Sequence, residues 1–430
     1  YGKNGAKLFK NVASELNKTT PDLWSDKDYT NTNDAVESGG FYAQLNTPKN
    51  DVASVRVLYV EDWSSANNSD KKTVLRKFGV NSSGKVTVDD NVLTDTSFND
   101  KTTYNNRTFR KLLNFLGFDK VTITDTDVKS LTLTKDDVSK DKEVKVVGAT
   151  IHSTPAAVSY SATLDESGKV TDKRNDYVLF GSSEGGLHLV NADDYSATGD
   201  GGKEKFVIIP REMLIDPNKS AALIKGGTNN VIGKPNFGVD APWLVTADYK
   251  YDFDNKKVTI DTAGNGVTAY GGLRMGGEAF YGFSLNNTNA PKMIFSITPN
   301  TSGYGRMGQI WSKPTAAKIK DSTAENDKGI DVLVFGGGYD MCYEREGFQV
   351  GVTDTALEDC SNQSETKGNA VYIINAKTGA LIWSASRDSG TTKVADMKHS
   401  VVGGITTLDR NNDGFMDHLY FADLGGQLFR

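Results

Sequence analysis

Short apolar runs separated by polar turns dominate the chain after residue 148. Four segments share one layout, in which an apolar run, a glycine cluster and a second apolar run follow one another. These segments are residues 177–190, 267–285, 332–340 and 419–429. A strand, a tight glycine turn and a second strand form a β-hairpin. The pattern therefore predicts one hairpin that recurs roughly every 65 to 90 residues.

A short polar opening precedes each predicted hairpin. The openings are residues 152–155 (HSTP), 240–242 (DAP), 312–314 (SKP) and a copy without proline at 399–400 (HS). Proline fits the first position of a strand, where its missing N–H costs nothing. A repeating unit with an unpaired apolar face is buried when copies stack around an axis. The prediction is a mainly all-β chain, with a β-propeller that carries long loop insertions over residues 148–430.

Residues 1–147 are more polar and predict a small mixed α/β N-terminal segment, with a domain boundary at residues 147/148. An apolar run at 52–60 predicts a strand, and the alternation over 121–147 predicts further strands. Residues 108–117 place Phe109, Leu112, Leu113 and Leu116 at helical spacing, with Gly117 where a helix would end. This segment contains no predicted catalytic chemistry.

Oxygen-bearing side chains recur at nearly every second position of residues 409–417 (DRNNDGFMD). A hard cation such as Ca²⁺ takes oxygens from positions 1, 3, 5, 7 and 9 of such a loop, with glycine at position 6. The expected ligands are Asp409, Asn411, Asp413, the carbonyl of Phe415, and Asp417. Position 12 holds Tyr420 rather than the bidentate Glu of an EF-hand, and strand-like alternation follows. A plain polar turn between strands is the alternative.

Composition limits the other functions. A net charge of −6 and a pI near 5.4 argue against a dedicated nucleic-acid surface, because phosphate binding needs clustered Lys and Arg. No apolar run reaches the length of a membrane span, which predicts no membrane insertion. The chain starts at Tyr1 and stops within a strand-like motif, so we expect a fragment of a longer, processed protein.

Cys342 and Cys360 are the two cysteines of the chain and lie in a polar insertion. Neither has a second Cys or a His at metal-site spacing. The pair predicts a disulfide and an oxidising compartment, and closing a loop of this size would stabilise the fold by about 3 kcal/mol. Two reduced thiols are the alternative.

No catalytic residue is predicted, so the chain is expected not to be an enzyme. His152, His188, His399 and His418 lie in or beside predicted strands, and none has a second His or Cys at ligand spacing. Motifs of the nucleophile-elbow, zinc-protease and phosphate-loop kinds are absent from the sequence. Trp383 ends an alternating strand and is expected to pack between two blades.

Taken together, these segments resemble the PilC/PilY family, the tip-associated adhesins and assembly factors of bacterial type IV pili, which includes the competence factor ComC. The resemblance rests on residues 152–155, 180–188, 271–277, 335–340 and above all 409–430. It implies a modified propeller and a loop at 409–417 that binds Ca²⁺ and balances pilus extension against retraction. Ala149 stands where the family usually has Asp, and no Arg-Gly-Asp tripeptide occurs, so no integrin-binding role is expected.

The resemblance also implies minor pilins at the pilus tip as partners, a host or abiotic surface, and DNA during natural transformation. The implied roles are pilus biogenesis, twitching motility and adhesion, in an exported protein of a Gram-negative bacterium. Two alternatives stay open. A quinoprotein-like dehydrogenase is suggested by Thr378, Gly379 and Trp383, and would require a bound quinone. A calcium-dependent lectin would be marked by exposed aromatic side chains in the insertions.

Overall fold

A computed structural model describes residue 24 and residues 40–65, 72–121, 127–140, 144–193, 200–215, 237–321, 329–352, 360 and 365–430. Most of the described secondary structure is β-strand, as expected. Three short helices are α1 (Gly40–Ala43), α2 (Asn106–Phe115) and α3 (Glu212–Ile215). No helix in these ranges is long and apolar enough to cross a membrane.

The first sheet has ten described strands, which come from both predicted segments of the chain. The bounds are β1 Leu58–Trp63, β2 Thr73–Val80, β3 Val86–Val88, β4 Asn91–Val92, β5 Ala156–Leu164, β6 Val170–Gly181, β7 Leu187–Asn191, β8 Glu204–Ile209, β10 Tyr249–Asp252 and β11 Lys257–Ile260. Their order in the sheet is β10-β11-β5-β6-β7-β8-β1-β2-β3-β4. β1 pairs in parallel with β8, so the sheet continues across residues 147/148. The domain boundary proposed there stays a prediction.

Three smaller sheets follow along the chain. The second contains β9 (Leu244–Ala247), β12 (Val267–Gly272), β13 (Phe280–Ser284) and β14 (Lys292–Ile297). The third contains β15 (Thr315–Ile319), β16 (Ile330–Gly336), β17 (Ala370–Asn375), β18 (Leu381–Ser386) and β19 (Thr392–Lys393). The fourth contains β20 (Thr406–Leu408), β21 (His418–Ala422) and β22 (Leu428–Phe429).

The predicted repeat matches four successive, mainly antiparallel units. Unit 1 is β5–β8, unit 2 is β9 with β12–β14, unit 3 is β15–β19, and unit 4 is β20–β22. Each polar opening lies just before the first strand of its unit, and each glycine cluster joins or follows an inner strand. The β10–β11 hairpin is an insertion in unit 2 that pairs with unit 1 instead. The four units support the predicted all-β class, while a closed ring of blades stays a prediction.

Alternation along the inner strands explains how units stack. On β16, Leu333 and Phe335 belong to the core between units 2 and 3. Val332 and Val334, on the opposite face, belong to the core between units 3 and 4. Because successive side chains of a strand point to opposite faces, a continuously apolar strand can serve two interfaces at once.

Recurring glycines mark where one unit meets the opening of the next. Gly181, Gly272 and Gly336 each end an inner strand, and a Cβ atom at any of them would collide with a backbone carbonyl oxygen within two residues of the following opening. The distances would be 2.2 Å from Gly181 to Val239, 2.7 Å from Gly272 to Ile310 and 2.3 Å from Gly336 to Val401. The glycines in the repeat are therefore required by close backbone approach.

The predicted helix is confirmed as α2, two residues earlier than expected at each end. The Asn105 side chain caps it by accepting a hydrogen bond from Thr108 N–H. The helix ends at Phe115, and Gly117, which has φ +106°, follows it in a motif where Phe118 N–H donates to the Leu113 carbonyl. The four predicted apolar positions are all buried.

The strands predicted in the N-terminal segment differ from the structure in position or extent. Residues 52–57 form a loop, and the strand starts only at Leu58. Within the predicted strands at 121–147, the described residues form 3₁₀ turns at Val128–Ser130 and Lys135–Asp137, with no strand; residues 122–126 and 141–143 lie outside the description. The Asp127 and Thr134 side chains cap these turns. Such local side-chain hydrogen bonds compete with strand pairing.

Candidate functional site

The predicted metal loop joins β20 to β21 on the surface of unit 4. Its two ends are fixed by backbone bonds, since Asp417 N–H donates to the Leu408 carbonyl (2.9 Å) and Met416 N–H donates to the Lys318 carbonyl (2.7 Å). Gly414 has φ +88° and Asn412 has φ +61°. The loop therefore turns sharply at position 6, where the calcium-loop pattern requires glycine.

The carboxylates of the loop accept hydrogen bonds from its own backbone. Asp409 accepts from Gly414 N–H (2.7 Å) and from Asp413 N–H (3.2 Å). Asp413 accepts from Phe415 N–H (3.0 Å), and Asp417 accepts from Arg410 N–H (2.8 Å). The side chain at position 1 thus organises the turn.

Lys320, which follows β15 of the neighbouring unit, lies against the loop. Its Nζ is 2.6 Å from Asp413 Oδ2 and 5.6 Å from the centre of the Phe415 ring. The hydrogen bond from Lys320 lowers the pKa of Asp413 below its ordinary value. An ammonium group from unit 3 is therefore the cation at position 5 of the loop.

The chemistry of the donors fits a hard cation, because three carboxylates, an amide oxygen and a carbonyl oxygen occur within nine residues. The conformation of the loop, however, does not bring all of these oxygens together. Within the ranges that the structure describes, no three or more His, Cys, Asp or Glu side chains are arranged to hold a metal ion. Asp409 and Asp413 are linked through the turn, whereas Asp417 contacts its other end. The predicted ligand set thus stays a prediction.

The other predicted structural features lie in unit 3. Cys342 and Cys360 form a disulfide with their Cα atoms 5.5 Å apart. Trp383 packs against the core between units 3 and 4, and its indole N–H donates to Thr392 Oγ1 (3.0 Å). This packing matches the structural role expected for the tryptophan.

A buried ion network lies elsewhere, and sequence reasoning missed it. Arg56 Nε donates to Glu204 Oε2 (2.7 Å) and Nη2 donates to Oε1 (2.8 Å). The Nδ1 atom of His188 is 2.7 Å from the same Oε1, and its Nε2 is 2.6 Å from Ser182 Oγ. Glu184 Oε1 is 3.5 Å from that Nε2. Each of these five side chains is nearly inaccessible to solvent.

Burial alone would favour the neutral forms of His188 and Glu204, and their neighbours in the network oppose this effect. Burial opposes protonation of His188, but Glu184 and Glu204 outweigh it and raise the pKa of the imidazole. Burial also opposes ionisation of Glu204, but Arg56 and His188 outweigh it and lower the pKa of the carboxyl to about 2. Two basic side chains thus lie against two acidic ones in a site that solvent does not reach.

The Ser182–His188–Glu204 sequence of contacts has the order of a hydrolase triad. Ser182 is 1% exposed and His188 is 0% exposed, and Ser182 Oγ also donates to the Gly186 carbonyl. A substrate cannot reach this serine, so the arrangement is structural. The sequence feature that could have indicated this buried network is Arg56, a charged residue inside the apolar run at 52–60.

Arg56 also ties the N-terminal segment to unit 1. Its Nη1 donates to the Val146 carbonyl (2.6 Å), and its guanidinium lies 4.4 Å from the centre of the Phe115 ring of α2. One side chain therefore joins the helix, the segment before β5, and β8.

The remaining histidines are not brought together. His152 Nδ1 lies 2.8 Å from Asp240 Oδ2 at the junction of units 1 and 2, and His399 Nδ1 lies 3.0 Å from the Tyr343 hydroxyl. His418 begins β21 beside the metal loop. These contacts join units and provide no pair of metal ligands.

Comparison with known proteins identifies two relatives of this chain. It is 24% identical over 301 residues to the type IV pilus biogenesis factor PilY1 of Pseudomonas aeruginosa, covering 66% of this chain and 21% of the relative. It is 22% identical over 285 residues to a PilY1 homologue of Xylella fastidiosa, covering 63% of this chain and 15% of the relative. The chain thus spans about a fifth or less of each relative.

No protein-family model matches the chain. The crystal structure of the P. aeruginosa PilY1 C-terminal domain aligns with 59% of this chain and 37% of its own, with 19% identity and a TM-score of 0.36.

Proposed function

Since this chain is homologous to the type IV pilus biogenesis factors of the PilC/PilY family, we propose that it acts in type IV pilus biogenesis as a non-enzymatic, calcium-binding component. The observation that carries the pilus role is the sequence match over 301 residues to PilY1. The units 1–4 would form a rigid β-propeller that contacts minor pilins at the pilus tip. Surface adhesion, twitching motility and DNA uptake belong to the same proposal.

An exported location, at the pilus tip, the outer surface or the periplasm, is part of this proposal. The Cys342–Cys360 disulfide supports it, because disulfides persist in oxidising compartments. The non-enzymatic role is supported by the names of the relatives, which describe biogenesis factors, and by the burial of the Ser182 and His188 pair.

Calcium binding is proposed at residues 409–417. Asp409, Asn411, Asp413, the Phe415 carbonyl and Asp417 would hold the ion, which would supply positive charge among three carboxylates. The shape of the turn supports this site, because the Asp409 carboxylate accepts a hydrogen bond from Gly414 N–H and Gly414 has a positive φ. Binding would fix the register of β20 and β21, because the loop connects these two strands.

Thermal unfolding tests the calcium site. The midpoint is measured with EDTA, with millimolar CaCl₂ and with millimolar MgCl₂, for the wild type and Asp409→Ala. A ligand that binds only the folded state adds about 2.7 kcal/mol at a hundredfold excess over its Kd. We expect a calcium-selective rise that Asp409→Ala abolishes.

Asp423→Ala serves as the matched control, because Asp423 is an Asp of the next turn, where it accepts from the Gln427 amide (3.0 Å). It should respond to calcium as the wild type does. A calcium response of Asp409→Ala equal to that of the wild type would show that this loop is not the site.

The pilus role needs a cellular test. Asp409→Ala is placed in the full-length protein, and surface pili are counted by electron microscopy beside a deletion strain. We expect few pili in the deletion strain and an altered number in the variant. Normal piliation in the deletion strain would contradict the proposed role in pilus biogenesis, independently of the calcium result.

A further inference from the structure

The described strands of unit 4 are short, and the insertion of unit 3 lies against the opening of this unit. Strands β20, β21 and β22 contain three, five and two residues. Sheets of so few residues are marginally stable unless they pack against a neighbour. The insertion of unit 3 joins β16 to β17 and contains the Cys342–Cys360 disulfide. The stability of unit 4 therefore depends on contacts that unit 3 provides.

The disulfide holds one short turn of the insertion in place. Cys342 lies in the 3₁₀ turn Met341–Glu344, and Cys342 and Cys360 are both nearly inaccessible to solvent. Asp340 caps this turn, because its Oδ1 accepts from Cys342 N–H (2.9 Å). The Oδ2 atom of Asp340 accepts from Lys367 N–H (2.7 Å). The turn is thus tied to Cys360 and to the residues just before β17.

Tyr343 lies in the same turn and reaches the opening of unit 4. Its hydroxyl is 3.0 Å from His399 Nδ1. The His399 ring lies over the turn between β21 and β22, where a Cβ atom on Gly425 would be 2.4 Å from the ring. The Ser400 carbonyl accepts from Leu424 N–H (2.9 Å) in that turn. A continuous path of contacts thus joins the disulfide to the β21–β22 hairpin.

The other end of the insertion holds the same opening. Ser400 Oγ donates to the Lys367 carbonyl (2.6 Å) and lies 3.1 Å from Thr366 Oγ1. Thr366 N–H donates to the Lys398 carbonyl (2.9 Å). Ser400 and Thr366 are both fully buried. The opening of unit 4 is therefore enclosed between two parts of one insertion, residues 340–344 and 365–367.

We propose that the Cys342–Cys360 disulfide is a redox-sensitive clamp that keeps unit 4 docked on unit 3. While the bond is intact, the insertion presents Tyr343 to His399 in a fixed position. A cross-link removes conformational freedom from the loop that it closes. After reduction, the hydrogen bond to His399 must order the insertion without that help, and one hydrogen bond contributes little net stability. Unit 4 then opens more often, while units 1 and 2 stay folded.

Release of the clamp needs an electron donor, and a dithiol is the chemical class that fits. The dithiol attacks the S–S bond as a thiolate, gives two electrons and two protons in all, and becomes a disulfide itself. Cys342 and Cys360 are left as two thiols. Because both cysteines are buried, the attack requires a brief local opening of the insertion. The clamp goes beyond the proposed function and does not rest on calcium binding or on pilus biogenesis.

Hydrogen–deuterium exchange measures the opening of each unit separately. The oxidised chain is compared with the chain reduced by dithiothreitol and with Cys342→Ser/Cys360→Ser, all in EDTA so that the 409–417 loop holds no metal. We expect the amides of residues 418–429 to exchange on the order of tenfold faster in the reduced chain and in the serine variant. The amides of β6 and β7 in unit 1 should exchange at the same rate in all three.

Two tyrosine variants test whether the clamp acts through Tyr343. Tyr343→Phe keeps the ring and the disulfide but loses the hydroxyl, so residues 418–429 should exchange about two- to fivefold faster. In the serine variant the same substitution should add almost nothing, because the contact is already released. Tyr249→Phe is the matched control, since the Tyr249 hydroxyl donates to the Ser159 carbonyl (2.8 Å) in the first sheet. It should leave exchange in unit 4 unchanged.

Four results would overturn the proposal. The first is equal exchange of unit 4 in the oxidised and reduced chains. The second is an equal rise in units 1 and 4, which would show a general loss of stability instead of the release of one unit. The third is a Tyr343→Phe chain that exchanges like the wild type. The fourth is a disulfide that dithiothreitol cannot reduce in the folded chain, as counted by mass spectrometry of iodoacetamide-labelled thiols. None of these results bears on the calcium or pilus proposals.

Discussion

Two clusters of charged side chains in this molecule differ in burial and in how their charge is balanced. The network of Arg56, His188, Glu184 and Glu204 is buried and sets two basic side chains against two acidic ones. The 409–417 loop is largely exposed and has three carboxylates, with Lys320 of unit 3 at one of them. Buried charge must be balanced from within the protein, because no solvent screens it. Exposed charge can be left in excess and balanced by an ion from solution.

The difference predicts where each cluster acts. Removing one member of the buried network affects folding, because the partner is left charged in a dry site. If the loop holds calcium as proposed, removing one of its carboxylates should change mainly the response to calcium and the local turn.

The largest effect is expected from Glu204→Ala. It leaves Arg56 buried without its carboxylate and should destabilise the fold by about 3–5 kcal/mol, as measured by urea unfolding. Lys203→Ala is the neighbouring control, because Lys203 and Asp200 form a half-exposed pair of the kind that contributes about 1 kcal/mol or less. Similar losses in the two variants would show that burial does not set the importance of Glu204.

The second prediction is that the buried network and the 409–417 loop contribute independently to the free energy of unfolding. At a calcium concentration a hundred times the Kd, the wild type should gain about 2.7 kcal/mol. Glu204→Ala should gain the same amount, because sites without shared partners are additive. The measurement is urea unfolding of both proteins with and without calcium. A calcium increment that disappears in Glu204→Ala would mean that the loop and the network are coupled.

The third effect is a pH dependence that belongs to the buried network. The pKa of His188 is raised in the fold, so its stabilisation is complete below the ordinary value of 6.5 and is lost as pH rises through the folded pKa. The pKa of Glu204 is lowered to about 2, so its stabilisation is complete above 4.5 and is lost as pH falls towards 2. Stability should therefore peak between about pH 4.5 and 6.5.

Thermal midpoints from pH 4 to 9 test this dependence. His188→Asn should remove the decline on the alkaline side, and Glu184→Gln should move it to lower pH because one of the carboxylates near the imidazole is gone. His418→Asn, at the exposed loop, should leave the profile unchanged. An alkaline decline that persists in His188→Asn would assign it to another group.

The repeat was predictable and the network was not, for one physical reason. Glycine clusters and polar openings act locally, so the hairpins of units 1 to 4 could be read from their own residues. The contacts of Arg56 with Glu204 join residues 148 positions apart, and no local pattern encodes that distance. The same holds for the pairing of β1 with β8 and for the placement of the β10–β11 hairpin in the first sheet.

The 409–417 loop combines features that local sequence predicts with one that it does not. Its donors and its Gly414 turn are local and were predicted, whereas the Lys320 ammonium comes from another unit and was not. The strands predicted at 121–147 are not found among the described residues 127–140, for a related reason. Alternation there suggested strands, but Asp127 and Thr134 offer the backbone hydrogen bonds that favour turns.

The smallest effect expected is that of Lys320→Ala on calcium affinity. The Lys320 ammonium contacts Asp413 Oδ2 and would have to leave before a cation could use that oxygen. Removing it should tighten calcium binding by about two- to fivefold, a modest change because the ion pair is exposed. Isothermal titration calorimetry measures the Kd, with Lys318→Ala as the control, since Lys318 faces Asp331 instead. Weaker binding in Lys320→Ala would mean that the lysine shapes the loop for calcium and does not compete with it.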